Sequence, residues 1–126
     1  MKCISIKQPW AWAIFHGKPV ENRTWKTAYR GDLLIQASKT FDKEGYLWME
    51  ENFLRTSVLP DLEDFVFGAI IGKVTMTDCV ISHPSPFFFG PYGHVYADPV
   101  EFKEPIPFKG KLKFFDVPDE LVRGLL

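Results

Sequence analysis

The chain has 126 residues, a formal charge of −1 and a pI near 6.3. That length leaves room for one hydrophobic core, and that charge excludes a global basic field of the kind that holds polyanions without discrimination. With 46% apolar and 25% charged residues, the composition is that of a globular domain, not of a disordered or collagenous chain. Cys3 and Cys79 are too few and too far apart for a zinc motif, and both read as buried structural thiols. No apolar run reaches the roughly eighteen residues of a membrane span, and the start of the chain lacks the apolar segment of a signal peptide. The expectation is a soluble, cytoplasmic domain with no membrane partner.

Met1 to Ile6 alternates apolar and polar side chains and reads as a strand. Pro9 suits the first turn of a helix, Trp10, Ala13 and Ile14 fall at helical spacing, and Gly17 is a natural terminator, which predicts a helix over Pro9–His16. Val20 to Thr24 is short and extended, Tyr29–Asp32 is a turn, and Leu33 to Ala37 is a buried strand. Thr40 or Asp42 caps a second helix over residues 41–55, with Tyr46, Met49 and Phe53 on one face, Leu47 and Leu54 beside them, and Glu50 and Glu51 on the wet side. Ser57 to Phe67 is an acidic connection. Phe67 to Ile81 is the longest strand candidate, in which Gly68 and Gly72 hint at a bulge or a close backbone approach. Ser82 to Gly93 is a loop rich in Pro, Phe and Gly. Val95 to Phe102 is a strand interrupted at Asp98-Pro99, Pro105 and Pro107 break pairing, and Lys109-Gly110 turns the chain. Lys111 to Val117 is a last strand, followed by a short helix over Asp119–Arg123. Five or six short strands with inserted helices and no βαβ alternation predict an α+β fold, a small closed or nearly closed barrel with two or three helices at its openings.

The chemistry concentrates after the first helix. Lys18 stands at the negative end of that helix, and Glu21 and Arg23 project to one side of the extended segment that follows. Two readings stand. One is a solvated ion-pair cluster, worth about 0–1 kcal/mol. The other is a pocket in which Lys18 and Arg23 hold phosphate or a polarised carbonyl while Glu21 handles a proton or a base edge. Trp10, Trp25, Tyr29 and Tyr92 offer faces for base stacking, worth about 1–3 kcal/mol per base where it occurs, whereas Trp12 and Trp48 read as core. Ser38 and Lys39, at a strand end, either face a ligand or belong to the cap of the second helix. His16, His83 and His94 lack metal-ligand spacing, and there is no GxGxxG or P-loop, so neither a metal nor a cofactor is expected. Phe87-Phe88-Phe89 cannot all face one core from a strand; the loop reads as a packed lid, or as a surface for a protein partner over Phe87–Tyr92.

Ser5-Ile6-Lys7-Gln8-Pro9-Trp10-Ala11, the element Gly17-Lys18-x-x-Glu21-x-Arg23, Tyr29-Arg30-Gly31 with Leu33-Leu34-Ile35, Gly68-Ala69-Ile70-Ile71-Gly72, and Pro105-Ile106-Pro107-x-Lys109-Gly110 together resemble the ASCH domain family over nearly the whole chain, residues 1–126 as one domain. The resemblance implies a PUA-like mixed barrel and a cleft beside the first helix suited to RNA or a modified nucleoside, with single-stranded DNA a lesser fit. Carried onto this sequence, the cleft residues are Lys18, Glu21 and Arg23, with Gln8, Trp10 and Ser38 nearby and Trp25 and Tyr92 as stacking faces. Some members of the family are hydrolases acting on an acylated cytidine or on RNA. Lys18 and Glu21 would be the catalytic pair of such an enzyme. Where the amidohydrolases carry a threonine three residues after the lysine, this chain carries Glu21.

Overall fold

A computed structural model describes residues 1–53 and 59–125. Six strands and two helices follow one another as β1 (Lys2–Gln8), α1 (Trp10–Ile14), β2 (Val20–Arg23), β3 (Gly31–Phe41), α2 (Lys43–Phe53), β4 (Ala69–Val80), β5 (Tyr92–Pro107) and β6 (Phe114–Asp116), with 3₁₀ turns at Leu62–Asp64 and Asp119–Leu121. The strands form one sheet in the order β2-β5-β4-β3-β1-β6, in which β1 and β3 run parallel and the other neighbours antiparallel. The architecture is α+β, with a mixed sheet. No β2–β6 ladder closes it among the described residues, yet its edges approach. The Arg23 guanidinium of β2 donates to the Ser5 carbonyl of β1 at 3.1 Å, and Trp25 packs edge-on against Phe114 of β6, ring centroids 5.1 Å apart.

The sheet buries both faces, as its sequence requires. On one face Ile4, Ile6, Leu33, Ile35, Val74 and Met76 pack with Ala11 and Ile14 of α1. On the other, Cys3, Leu34, Ile70, Phe102, Phe115 and Val122 form a second cluster. Burying each large aliphatic side chain contributes roughly 1.5–3 kcal/mol. Cys3 is fully buried as expected, and burial pushes its thiol up to about 12. Cys79 is only half-buried, at the margin of the first cluster.

Strict alternation along β4 fails at one place, and the reason is the expected bulge. The registers of β4 with β3 and with β5 both shift beside Gly72, so Ile70 faces one cluster while Ile71, Val74 and Met76 face the other. A Cβ on Gly72 would stand 2.5 Å from the Val100 carbonyl oxygen and from the Phe15 ring.

Several element boundaries differ from the sequence reading. The first helix is shorter than Pro9–His16: after Ile14 the chain turns through Phe15–Gly17, and Gly17 takes φ 110°. β3 runs four residues past Ala37, where its pairing with β4 ends, because β1 continues beside it and pairs Gln8 with Phe41. β5 continues through Asp98-Pro99, Pro105 and Pro107. β2 covers it only over Tyr92–Val95, so farther on one side of β5 is an open edge where a proline's missing N–H costs nothing; Asp98, at φ 52°, absorbs the irregularity. Finally, Lys111–Val117 is reduced to Phe114–Asp116, because Lys113 adopts φ 55° and leaves the strand conformation. The terminal helix is the 3₁₀ turn Asp119–Leu121. α2 starts at Lys43, with the Asp42 carboxylate accepting the Gly45 N–H at 3.0 Å, one of the two caps anticipated. Met49 is fully buried beneath it, against Ala13. Leu54, the expected helix end at 55, the Phe53 side chain and the start of the Ser57–Phe67 connection lie outside the described residues.

Candidate functional site

The turn after α1 carries the chain inward. The Lys18 N–H donates to the Ala13 carbonyl at 2.9 Å, which directs the Lys18 side chain under the helix instead of into water. Lys18 is 3% exposed and Glu21 7%, which decides against a solvated turn. The Lys18 ammonium donates to Glu21 Oε1, and Arg23 holds Glu21 Oε2 at 3.2 Å. One carboxylate is thus bracketed by two cations, leaving the cluster with one uncompensated positive charge. The Lys18 ammonium also lies 5.3 Å from the centre of the Trp10 ring, a cation–π contact that partly replaces lost hydration. Burial pulls the Lys18 pKa below the ordinary lysine value, and Glu21 opposes that shift.

The cluster has a wall of which the sequence reading named only Tyr92. In the β2–β5 ladder Glu21 stands opposite His94 and Arg23 opposite Tyr92. Cross-strand partners share a face, so Tyr92, His94 and Tyr96 line the same side as the two ionic residues. His94 is fully buried. Its Nε2 donates to the Trp25 carbonyl at 3.1 Å, which leaves Nδ1 of the neutral ring as an acceptor without a partner. The Tyr96 hydroxyl and Arg23 Nε are likewise buried without a partner. Burial, ahead of the Arg23 charge, holds the His94 pKa below the ordinary histidine value, and burial pushes the Tyr96 phenol well above its own. The signal for this wall was present in the alternation Tyr92-x-His94-x-Tyr96, but the Phe- and Gly-rich stretch up to Gly93 read as loop. Lys18 and Tyr96 also border a recess of about 180 Å³ with Pro19, Val74 and Pro99. It is smaller than the roughly 300 Å³ at which ligand pockets usually begin.

The remaining expected residues divide. Trp10 belongs to the cluster; its indole N–H donates to Asp42 at 2.8 Å, and Phe87 and Trp48 pack around it. Trp25 stands beside the cluster, edge-on to His94 with ring centroids 4.7 Å apart. Tyr92 is half-buried opposite Arg23. Gln8 is occupied by structure: its Oε1 accepts the Trp12 N–H at 2.8 Å, and its amide donates to the Val66 carbonyl at 2.9 Å. Ser38 is not brought to Lys18. It lines a separate groove of about 680 Å³ with Ser5, Gln36, Lys39 and the 108–112 segment. Tyr29 seals the base of the first core cluster against Phe114. In the Phe87–Tyr92 loop, Phe87 is buried against Trp10 and Trp48, while Phe89 is 63% exposed. Among the described residues no three His, Cys, Asp or Glu side chains gather as a metal site would require, and no helix is long and apolar enough to cross a membrane.

An ASCH domain model matches residues 4–88 of this α+β domain, and the chain belongs to the ASCH domain family. Its curated relatives include activating signal cointegrator 1 of Homo sapiens, 29% identical over 137 aligned positions, and that of Mus musculus, 28% identical. Each alignment covers 97% of this chain but 23% of the relative, so the chain spans less than a quarter of the length of these proteins.

Proposed function

We propose that this chain is an RNA- or modified-nucleoside-binding ASCH module, one PUA-like domain over residues 1–126, in which the curled sheet acts as a barrel. Its binding site is the mouth of the Lys18–Glu21–Arg23 cluster. The observation that carries this reading is the surplus positive charge of a buried ionic cluster surrounded by unpartnered polar atoms of Arg23, His94 and Tyr96. Buried polar groups in native proteins are nearly all hydrogen-bonded; an anionic or carbonyl oxygen of a ligand supplies the charge and an acceptor for the Arg23 Nε–H and the Tyr96 hydroxyl, and a ligand hydroxyl or amino group supplies the donor that His94 Nδ1 lacks. The recess beside Lys18 is too small for a whole nucleotide, so the ligand inserts an end group there and lays its base on Trp25 or Tyr92. Arg23, one quarter exposed at its side chain, holds phosphate; Lys18, almost fully enclosed, sets the potential through Glu21.

Family membership supports the same direction, and a local site is compatible with a pI of 6.3 where a broad basic face is not. The test is equilibrium binding of short single-stranded RNA and of free modified nucleosides to the protein and to Arg23→Ala. The reading expects at least tenfold weaker binding by the variant. Equal binding by both would exclude the cluster as the site.

One observation favours a second reading, hydrolysis of a nucleoside amide or of RNA. A lysine whose pKa is pulled down by burial, hydrogen-bonded to a carboxylate, is equipped for proton transfer. Turnover lost in Lys18→Met with binding retained would establish it. A third reading, protein docking through Phe89 and its loop, predicts loss of a partner in Phe89→Ala with RNA binding untouched.

A further inference from the structure

The groove that holds Ser38 lies on the far side of β1 from the ionic cluster. Ser5 is the partition between them: its carbonyl oxygen accepts from Arg23, while its side chain lines the groove. The floor is polar and fixed. The Ser5 hydroxyl donates to Gln36 Oε1, and the Gln36 amide donates to the Phe108 carbonyl at 2.8 Å. Gln36 is 1% exposed, so this floor is set by the core. One wall is Lys39 with Gly68. The other is the segment Phe108–Leu112, which brings Lys109 and Lys111 to the rim. No carboxylate lines the groove, and none of the three lysines makes an ion pair among the described residues.

The rim continues toward the cluster. Lys113 turns back at φ 55° and places its ammonium 5.7 Å from the centre of the Trp25 ring, and Trp25 packs against the buried His94. Lys109, Lys111 and Lys113 therefore form a basic lip from the groove to the stacking face beside Arg23. Gly110 sits at its closest approach, where a Cβ would stand 2.5 Å from the Ser5 hydroxyl and 2.7 Å from Gln36 Oε1. Leu112, 92% exposed, leaves an apolar surface between the cations.

We infer that this lip and groove bind the phosphodiester backbone of single-stranded RNA, so that the ligand of the ionic cluster is a strand of several nucleotides and not a free nucleoside. The inference rests on the RNA-binding reading above. Unpaired cations spaced along an extended rail match a repeating anion, and hydroxyl, amide and apolar groups between them accept sugars and bases without selecting a sequence. A volume of about 680 Å³ admits more than one nucleotide unit. A duplex fits less well, because the stacking face of Trp25 needs unpaired bases.

The experiment is fluorescence anisotropy with a labelled single-stranded RNA of about twelve nucleotides, read across a salt series. It compares the native protein with Lys109→Gln/Lys111→Gln and with Arg23→Ala, and adds the same sequence as a duplex. Both lysines are exposed, so the double variant leaves the core intact. The inference expects at least tenfold weaker binding by the double variant at low salt. It also expects the slope of log K against log salt to shrink by about 1.4, since each single-strand phosphate contact contributes about 0.7. Unchanged affinity and slope in the double variant, with Arg23→Ala still weakened, would overturn the groove and leave the cluster standing. Loss in the double variant alone would uphold the groove and remove the cluster. Absence of binding by the native protein overturns both, and tighter binding of the duplex overturns the single-strand assignment.

Discussion

Lys18 and Lys109 carry the same side chain in opposite circumstances. Lys18 is enclosed, paired with Glu21 and lowered in pKa; Lys109 stands in water at the rim of a groove without a partner. The first is expensive to bury, tolerates no loss of its partner and has one geometry. The second is exposed, makes no ion pair among the described residues and keeps its charge for a ligand. The contrast separates two ways of making a near-neutral domain bind an anion: a buried cluster that fixes where one group goes, and a lip that gathers charge locally with a salt-dependent contribution.

The comparison breaks most sharply at Glu21. Glu21→Ala leaves a buried ammonium without a carboxylate, and unpairing a buried ion typically destabilises by about 3–5 kcal/mol; urea unfolding should show a midpoint shift of that size, and a loss below 1 kcal/mol would mean the pair is solvated. At the seam between the two regions, Gly110→Ala should cost about 1–3 kcal/mol by overpacking against Ser5 and Gln36, and it should weaken RNA binding by narrowing the groove. A smaller, signed effect belongs to His94. Burial, then Arg23, lower its pKa below the unfolded value of about 6.5, with the Trp25 carbonyl and Glu21 opposing. Below that value the unfolded chain binds the proton more readily than the folded one, so stability falls as pH drops through 6.5 toward the folded pKa and is flat above it. His94→Gln should remove that slope in a pH series of unfolding curves. Smallest is Lys109→Gln/Lys111→Gln, expected within about 0.5 kcal/mol of the native stability; a larger loss would show the lip to be structural.

Sequence patterning reached the ionic cluster because its three residues sit within six positions on one connection, and the family pattern named them. Spacing alone could not choose between a solvated turn and an enclosed site; that depended on the Lys18 N–H bonding back to Ala13, a consequence of where Gly17 turns the chain. The strands of the sheet were legible from apolar runs and alternation, and the bulge at Gly72 from the glycine itself. β5 was cut short because prolines argue against a strand only when both edges are paired, and pairing is a tertiary fact. His94 and Tyr96 were hidden for a related reason: their role comes from sharing a face with Glu21 and Arg23 across a ladder that pairs Glu21 with His94 and Arg23 with Tyr92, strands far apart in sequence. The resemblance set Ser38 near the cluster, whereas along β3 it alternates with Ala37 of the first core cluster and lines the separate groove with Gln36.

The central claim, that Arg23 and its buried neighbours grip the ligand, is tested most directly by following the Arg23 Nε–H and His94 ring resonances in an NMR titration with short single-stranded RNA. The account predicts that both move together and saturate with the binding curve, because each has a buried polar atom without a partner in the cluster. Saturable binding that leaves both resonances in place would contradict it.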